Sequence, residues 1–172
     1  MPGRSVTTPC ILVAAALVSG LSACDLQQQP TQPSRSAGPP APAPAIAAQT
    51  VAGASFDWRA VHGHAAVVDF WASWCGPCRA EQRDLNGLYA RYAPRGVVFL
   101  GVDMRDGDAA ARAYQSDFAV AYASVADPDE AISALYNVAA PPTLVVIDRD
   151  GRIVDRFLGT LVGVSDDLDR LG

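Results

Sequence analysis

Val67-Val68-Asp69-Phe70-Trp71-Ala72-Ser73-Trp74-Cys75-Gly76-Pro77-Cys78 is the stretch that decides the fold, because an apolar run typical of a buried strand passes directly into a C-x-x-C motif that opens a helix. A helix that begins at Gly76 and Pro77 places proline where its missing N–H is not needed. Cys75 then faces the unpaired amides and the positive end of the helix dipole, which favour a thiolate. Cys78 lies on the same side of the first turn, at a spacing that a disulfide can bridge. The pair is therefore predicted to open and close with little backbone movement.

Two other interpretations of this cysteine pair, a structural disulfide and a zinc site, have weaker support. A structural disulfide here would close a loop of only about four residues and would gain little loop-closure entropy. A zinc site would need more ligands, and the candidates in the folded region are His62 and His64, whose turn context favours solvated histidines. We therefore expect no metal and no other cofactor, with the Cys75–Cys78 disulfide as the redox-active group.

The run from Asp69 to Cys78 resembles the active-site segment of thioredoxins, and its continuation Arg79-Ala80-Glu81 is similar to the extracytoplasmic, membrane-tethered TlpA/ResA-like branch. The resemblance extends over residues 55–159. It implies an α/β thioredoxin fold with a central mixed β-sheet of four to five strands and helices on both faces. The alternation of strand and helix patterns along the chain independently predicts an α/β sheet with crossovers, including a short strand over residues 122–125.

The resemblance also implies a substrate-binding surface around the two sulfurs. Its members would be Trp74, Gly76, Pro77 and Pro142. In such proteins the proline directly before the threonine, here Pro142, is cis and packs against the disulfide. The alternative for this position is an ordinary turn formed by two consecutive prolines.

Two acids are candidates for moving the proton of a thiol. Asp69 lies inside a strand-like apolar run, where burial raises the pKa of a carboxyl toward neutrality. Glu81 lies one helical turn after Cys78, on nearly the same side. Thioredoxins use the acid that matches Asp69, whereas many TlpA/ResA-like proteins have Asn there and rely on the later glutamate. Because this chain has both, their division of labour stays open, and a solvated Glu81 at the helix edge is the alternative.

The first 23 residues have the features of a secretory signal peptide: Arg4, a short apolar run and small residues before a cleavage point. The ending Leu21-Ser22-Ala23-Cys24 resembles a bacterial lipobox, which implies cleavage before Cys24 and a lipid on its sulfur. Lipidation would also remove an odd thiol from an oxidising compartment. Ordinary secretion with a free Cys24 is the alternative.

Composition divides the rest of the chain into two parts. Residues 24–55 are rich in Pro, Ala and Gln and are predicted to be the lipidated cysteine followed by a disordered tether. Residues 56–172 are long enough for one domain, the thioredoxin-like domain. A net charge of −5 argues against nucleic acid as a partner.

Together these features predict a thiol–disulfide oxidoreductase, lipid-anchored to the outer face of the cytoplasmic membrane and monomeric. The resemblance suggests that it reduces disulfides of secreted proteins or of apocytochrome c, with a membrane thiol donor such as a CcdA-like protein. One alternative is net oxidation, which would form disulfides in secreted proteins with the same residues. A second, non-enzymatic alternative is a tethered lipoprotein that binds a metal or a partner.

Replacing Cys24 with alanine should release the protein from membranes, because the substitution removes the sulfur that would carry the lipid. Membrane fractionation of cells that express each form measures the difference. A Cys24→Ala protein that stays in the membrane fraction after loss of its lipid would contradict the lipoprotein prediction.

Overall fold

The computed structural model describes Gly3 and residues 34–171, so the predicted signal peptide and Cys24 lie outside the described residues. The strands are β1 (Ser34–Ser36), β2 (Ala41–Pro42), β3 (Ala47–Gln49), β4 (Ser55–Asp57), β5 (Ala66–Trp71), β6 (Val98–Met104), β7 (Ser124–Asp127), β8 (Thr143–Ile147) and β9 (Arg152–Leu158). The helices are α1 (Gly76–Tyr92), α2 (Asp108–Asp117), α3 (Ala131–Leu135) and α4 (Val164–Leu171), with 3-10 turns at Trp58–Val61 and Ala93–Arg95.

The main sheet is mixed, and its five principal strands lie in the order β9-β8-β5-β6-β7. Strands β5, β6 and β7 are parallel, whereas β8 is antiparallel to both β5 and β9. The predicted α/β fold with a central mixed sheet is confirmed. The middle strand, β5, continues through a four-residue loop into α1, so the C-x-x-C motif lies at the end of the most buried strand.

Each face of this sheet is covered by helical segments. On one face, α1 and α4 contribute Leu85, Tyr92, Val164 and Leu168 to a buried apolar cluster. On the other face, the cluster contains residues of the first 3-10 turn and the end of α3, among them Trp58, Val61 and Tyr136. The prediction of helices on both faces is thus correct. None of the described helices is both long and apolar enough to cross a bilayer.

The predicted boundary between tether and domain differs from the structure. Strands β1 and β2 pair with the outer edge of β9, and β3 pairs with β4. Ile46 is 1% exposed and belongs to the core. The folded domain therefore begins no later than Ser34, and not at Phe56. The proline-rich composition of this N-terminal segment is compatible with a position at the sheet edge, because an edge strand needs few backbone donors and no alternating apolar pattern.

Arg35 fastens this N-terminal segment to the domain. Its guanidinium donates to the carboxylates of Asp155 in β9 and Asp167 in α4, at 2.7 Å for Asp167, and stacks 5.1 Å from the Phe157 ring centre. Both carboxylates are at most 2% exposed. Arg35 thus balances the buried charge of Asp155 and, together with Arg170, that of Asp167, and such charges would be costly without a cationic partner.

Substituting Arg35 with glutamine should destabilise the domain by about 1–3 kcal/mol, because the buried carboxylate of Asp155 loses a charge-assisted hydrogen bond. Urea denaturation followed by tryptophan fluorescence measures the change. Arg59→Gln is the matched control, since Arg59 pairs with Asp57 at the surface and should leave the midpoint unchanged. Equal midpoints for Arg35→Gln and the wild type would show that β1 does not depend on this ion pair.

Candidate functional site

Cys75 and Cys78 form a disulfide whose Cα atoms are 5.3 Å apart. Cys75 is the N-cap of α1, and its Sγ accepts a hydrogen bond from the Cys78 backbone N–H at 3.1 Å. This contact is of the kind that stabilises a thiolate at a helix N-terminus. The two residues are 4% and 2% exposed, so exposure in the oxidised form does not separate their roles. The assignment of Cys75 as the attacking sulfur stays a prediction that rests on its N-cap position.

The surface next to the disulfide is formed by an exposed aromatic ring and an ion pair. Trp74 is 52% exposed, and the Arg105 guanidinium lies 4.9 Å from its ring centre. Arg105 also pairs with Glu130 at 3.2 Å. Gly76 and Pro77 are exposed in the same loop and first turn. Sequence reasoning found Trp74 but missed Arg105 and Glu130, because they come from loops about 30 and 55 residues further along the chain.

The loop before Cys75 is held by a carboxylate from the end of β6. The backbone N–H and hydroxyl of Ser73 donate to Asp106 at 2.5 and 2.7 Å. Asp103, close to Asp106, is 2% exposed, and burial followed by the neighbouring Asp106 raises its pKa to about 8. The sequence contains no separate signal for either acid: Asp103 lies near the end of β6, and Asp106 follows this strand by two residues.

The Pro141–Pro142 peptide bond is cis, as the resemblance implies for Pro142. Pro142 is buried at the start of β8, and its carbonyl accepts a hydrogen bond from the Gly159 N–H at 3.0 Å. Its packing against the disulfide stays a prediction. The two histidines lie elsewhere: His64 Nδ1 is 3.1 Å from the Gly96 carbonyl, and within the described residues no three His, Cys, Asp or Glu side chains form a metal-binding group.

Asp69 is a dry carboxyl in the middle of β5. It is 1% exposed, Oδ2 accepts a hydrogen bond from the Tyr122 hydroxyl at 2.7 Å, and Oδ1 has no partner among the described residues. Burial raises the pKa of Asp69 to about 7, while the Tyr122 hydrogen bond acts in the opposite direction. A carboxyl with this pKa can take or give a proton near neutral pH.

Glu81 is the second carboxyl with a raised pKa. Its Oε1 is buried without a partner among the described residues, so the alternative of a fully solvated edge glutamate does not describe it. Burial, and then the charges of Asp69 and Asp84, raise the pKa of Glu81 to about 8. The charge of Asp69 thus contributes to the raised pKa of Glu81, so the two predicted acids influence each other's protonation.

A buried polar network that the sequence did not reveal links Asp69 to the backbone of the second cysteine. Gln82 Nε2 donates to the Tyr122 hydroxyl at 3.1 Å. The Tyr114 hydroxyl lies 3.2 Å from Gln82 Oε1 and 3.1 Å from the carbonyl oxygen of Cys78. The chain of contacts runs from Asp69 through Tyr122, Gln82 and Tyr114 to the second cysteine. The only sequence signal was a glutamine on the inward side of α1.

Three comparisons with known proteins agree with this geometry. The Redoxin family model matches residues 37–170. The thiol-disulfide oxidoreductase ResA of Bacillus thuringiensis (strain Al Hakam) is 27% identical over 117 residues, which cover 68% of each protein. The thiol:disulfide interchange protein HelX of Rhodobacter capsulatus is 30% identical over 154 residues, covering 89% of this chain and 85% of HelX. A solved structure of a secreted Mycobacterium tuberculosis disulfide oxidoreductase, homologous to E. coli DsbE, superposes with a TM-score of 0.65 at 29% identity, covering 73% of this chain and 96% of the other.

Asp69→Asn should slow thiol–disulfide exchange near neutral pH, because a side chain that cannot titrate cannot accept the proton of a buried thiol. With a pKa of about 7, Asp69 is protonated at lower pH, so the wild-type rate should fall as the pH drops below about 7. That limb should disappear in Asp69→Asn, while Glu81→Gln should have the smaller effect. Insulin reduction measured from pH 5 to 9 gives the profiles.

A stability measurement separates this role from misfolding. A raised pKa in the folded state stabilises the protein below the unfolded-state pKa, and this contribution is lost as the pH rises to about 7. Asp69→Asn should therefore gain about 2–4 kcal/mol relative to the wild type between pH 4 and 8, whereas Asp117→Asn, at an exposed site, should not. An unchanged rate profile together with this stability gain would remove Asp69 from the reaction and leave Glu81.

Proposed function

The chain belongs to the Redoxin family and is a thioredoxin-fold thiol–disulfide oxidoreductase, and on this basis we propose that it works as a membrane-tethered, extracytoplasmic reductase of protein disulfides. The observation that carries the proposal is the disulfide at the N-terminus of α1, backed by two carboxyls that titrate near neutral pH. Protein thiols and disulfides are its substrates.

The exchange proceeds in two steps that balance in electrons and protons. The Cys75 thiolate attacks a sulfur of the substrate disulfide, which forms a mixed disulfide and releases the other substrate sulfur as a thiolate that takes up a proton. Cys78 then loses its proton to a nearby carboxylate and attacks the Cys75 sulfur. This second step releases the remaining substrate thiol and leaves the Cys75–Cys78 disulfide. Two electrons have passed from the enzyme to the substrate.

Asp69 and Glu81 are suited to the second step for different reasons. Asp69, with a pKa of about 7, is ionised in about half of the molecules at neutral pH and can accept the Cys78 proton. Glu81, with a pKa of about 8, is mostly protonated there and can hold a proton for a departing thiolate. Tyr122 donates to Asp69 and stabilises its ionised form, so it keeps this carboxyl usable as a base.

The location and the partners are further parts of the proposal. The signal-like start and the lipobox resemblance support a lipid on Cys24, outside the cytoplasm. Only residues 25–33 then separate the lipid from β1, a distance of at most about 35 Å when fully extended. A monomer held this close to the bilayer can receive electrons from a membrane thiol donor such as a CcdA-like protein and pass them to apocytochrome c or another secreted protein.

The reduction potential of the Cys75–Cys78 couple tests the direction of transfer. Equilibration with glutathione redox buffers, followed by thiol counting, should give a value well below about −230 mV, as a reductase requires. A value near about −120 mV would instead identify an oxidant that forms disulfides in secreted proteins. A domain that fails to reduce insulin at any potential would favour a tethered binding protein.

Cys78→Ser should accumulate mixed disulfides with substrate, because it keeps the attacking thiolate at the helix N-terminus and loses the resolving thiol. Cys75→Ser should trap nothing and should be inactive. Non-reducing electrophoresis of the purified variants from the native host shows the adducts, and mass spectrometry identifies the partner. Adducts on Cys75→Ser but not on Cys78→Ser would reverse the assignment of the nucleophile.

A further inference from the structure

A cavity of about 260 Å³ lies beside the cis-proline segment and has no part in the exchange reaction described above. Ala140 and Thr143, which flank the two prolines, belong to its wall, together with the apolar side chains of Val138 and Leu158. Arg156 of β9 is the one charged residue in this wall. The wall also contains Ser34, Ser36 and Asn137, so the cavity combines a mainly apolar surface with a few neutral polar groups and a single cation.

Arg156 lacks the partners that a guanidinium in such a place normally has. Its Nη1 is shielded from solvent and donates to no hydrogen-bond acceptor within residues 34–171. The adjacent Asp155 is committed to the Arg35 ion pair. Tyr136, whose phenol is electrostatically coupled to Arg156, donates its proton to the Pro44 carbonyl at 2.7 Å.

This unpaired cation has an energetic consequence. Burial lowers the pKa of Arg156, yet arginine stays protonated at any pH at which the protein is folded. A buried N–H of a charged group without an acceptor is destabilising, and a negatively charged ligand in the cavity that Arg156 lines would offset part of this penalty through its charge. Arg is also the side chain best suited to bind a planar carboxylate through two parallel hydrogen bonds.

We propose that this cavity binds a carboxylate carried on a short apolar stem, with the carboxylate on Arg156 and the stem against Val138, Ala140 and Leu158. The cavity of about 260 Å³ has room for several water molecules, each of which occupies about 30 Å³ in the liquid. It therefore has room for a ligand of a few heavy atoms. Phosphate and sulfate fit less well, because they have no apolar part to contact Val138, Ala140 and Leu158.

The carboxylate has two possible sources with the same chemistry, a free short-chain acid or the glutamate side chain of a polypeptide. The position beside Pro141–Pro142 favours the polypeptide, because that segment is where we expect the substrate to lie. This preference rests on the proposed function, whereas the binding of a carboxylate does not.

The test is a ¹H–¹⁵N NMR titration of the oxidised protein with sodium butyrate, with neutral butyramide as the matched control. Butyrate should produce saturable shifts in residues 137–140 and 156–158, and butyramide should not. Arg156→Gln should weaken butyrate binding at least about tenfold, because the charged donor is lost. Arg149→Gln removes the same charge at the exposed hairpin turn, at the other end of β8 and β9, and should bind like the wild type.

A second titration identifies the source, with acetyl-Ala-Glu-Ala-amide compared with acetyl-Ala-Gln-Ala-amide. Tighter binding of the glutamate peptide than of butyrate, at the same residues, supports a polypeptide side chain as the ligand. Tighter binding of butyrate supports a free acid. The proposal is overturned if no carboxylate gives saturable shifts, or if Arg156→Gln and the wild type bind butyrate equally. Because the oxidised protein is used throughout, a failed reductase assay would not affect either result.

Discussion

The burial of β5 on all sides is the constraint on which the rest of the structure depends. Its two edges are hydrogen-bonded to β6 and β8, and its two faces are covered by separate apolar clusters. All six of its residues are buried. A polar side chain within β5 is therefore shielded from water, and the helix that follows β5 begins close to the protein interior. The pKa of Asp69 and the shielding of both cysteines follow from this single fact.

Two opposing effects act on the pKa of Asp69, and desolvation is the larger. The Tyr122 hydroxyl stabilises the ionised carboxylate, but it reaches only one oxygen, and the other has no partner among the described residues. The loss of hydration is larger than one hydrogen bond can offset, so the pKa of Asp69 rises to about 7. Glu81 adds a second charge to the same region, and the two acids therefore titrate as a coupled pair whose apparent pKa values belong to both.

Local signals in the sequence were enough for the central sheet and the motif, and long-range contacts explain what they missed. The strand into helix transition at Cys75 is set by neighbouring residues, and it was predicted correctly. The segment around Arg35 contains no apolar periodicity, because its anchors are the β9 backbone and two carboxylates more than 100 residues away. The predicted strand at residues 122–125 forms two residues later, since Tyr122 turns inward to Asp69. Likewise, Gln82 and Tyr114 meet only after the sheet has folded.

The protonation of Glu81 at neutral pH is what allows the helix N-terminus to determine the reactivity of Cys75. A helix dipole favours a nearby anion by about 0.3–1 kcal/mol. Two unit charges about 8 Å apart interact by about 2 kcal/mol at an effective dielectric constant of about 20. At a separation of this order, an ionised Glu81, one helical turn after Cys78, would oppose a thiolate at the helix N-terminus by more than the dipole favours it. Burial keeps Glu81 mostly protonated at neutral pH, so this opposing charge is largely absent there. The same packing that makes Glu81 useful for proton transfer therefore also protects the thiolate that begins the reaction, and the protection weakens as the pH rises above about 8.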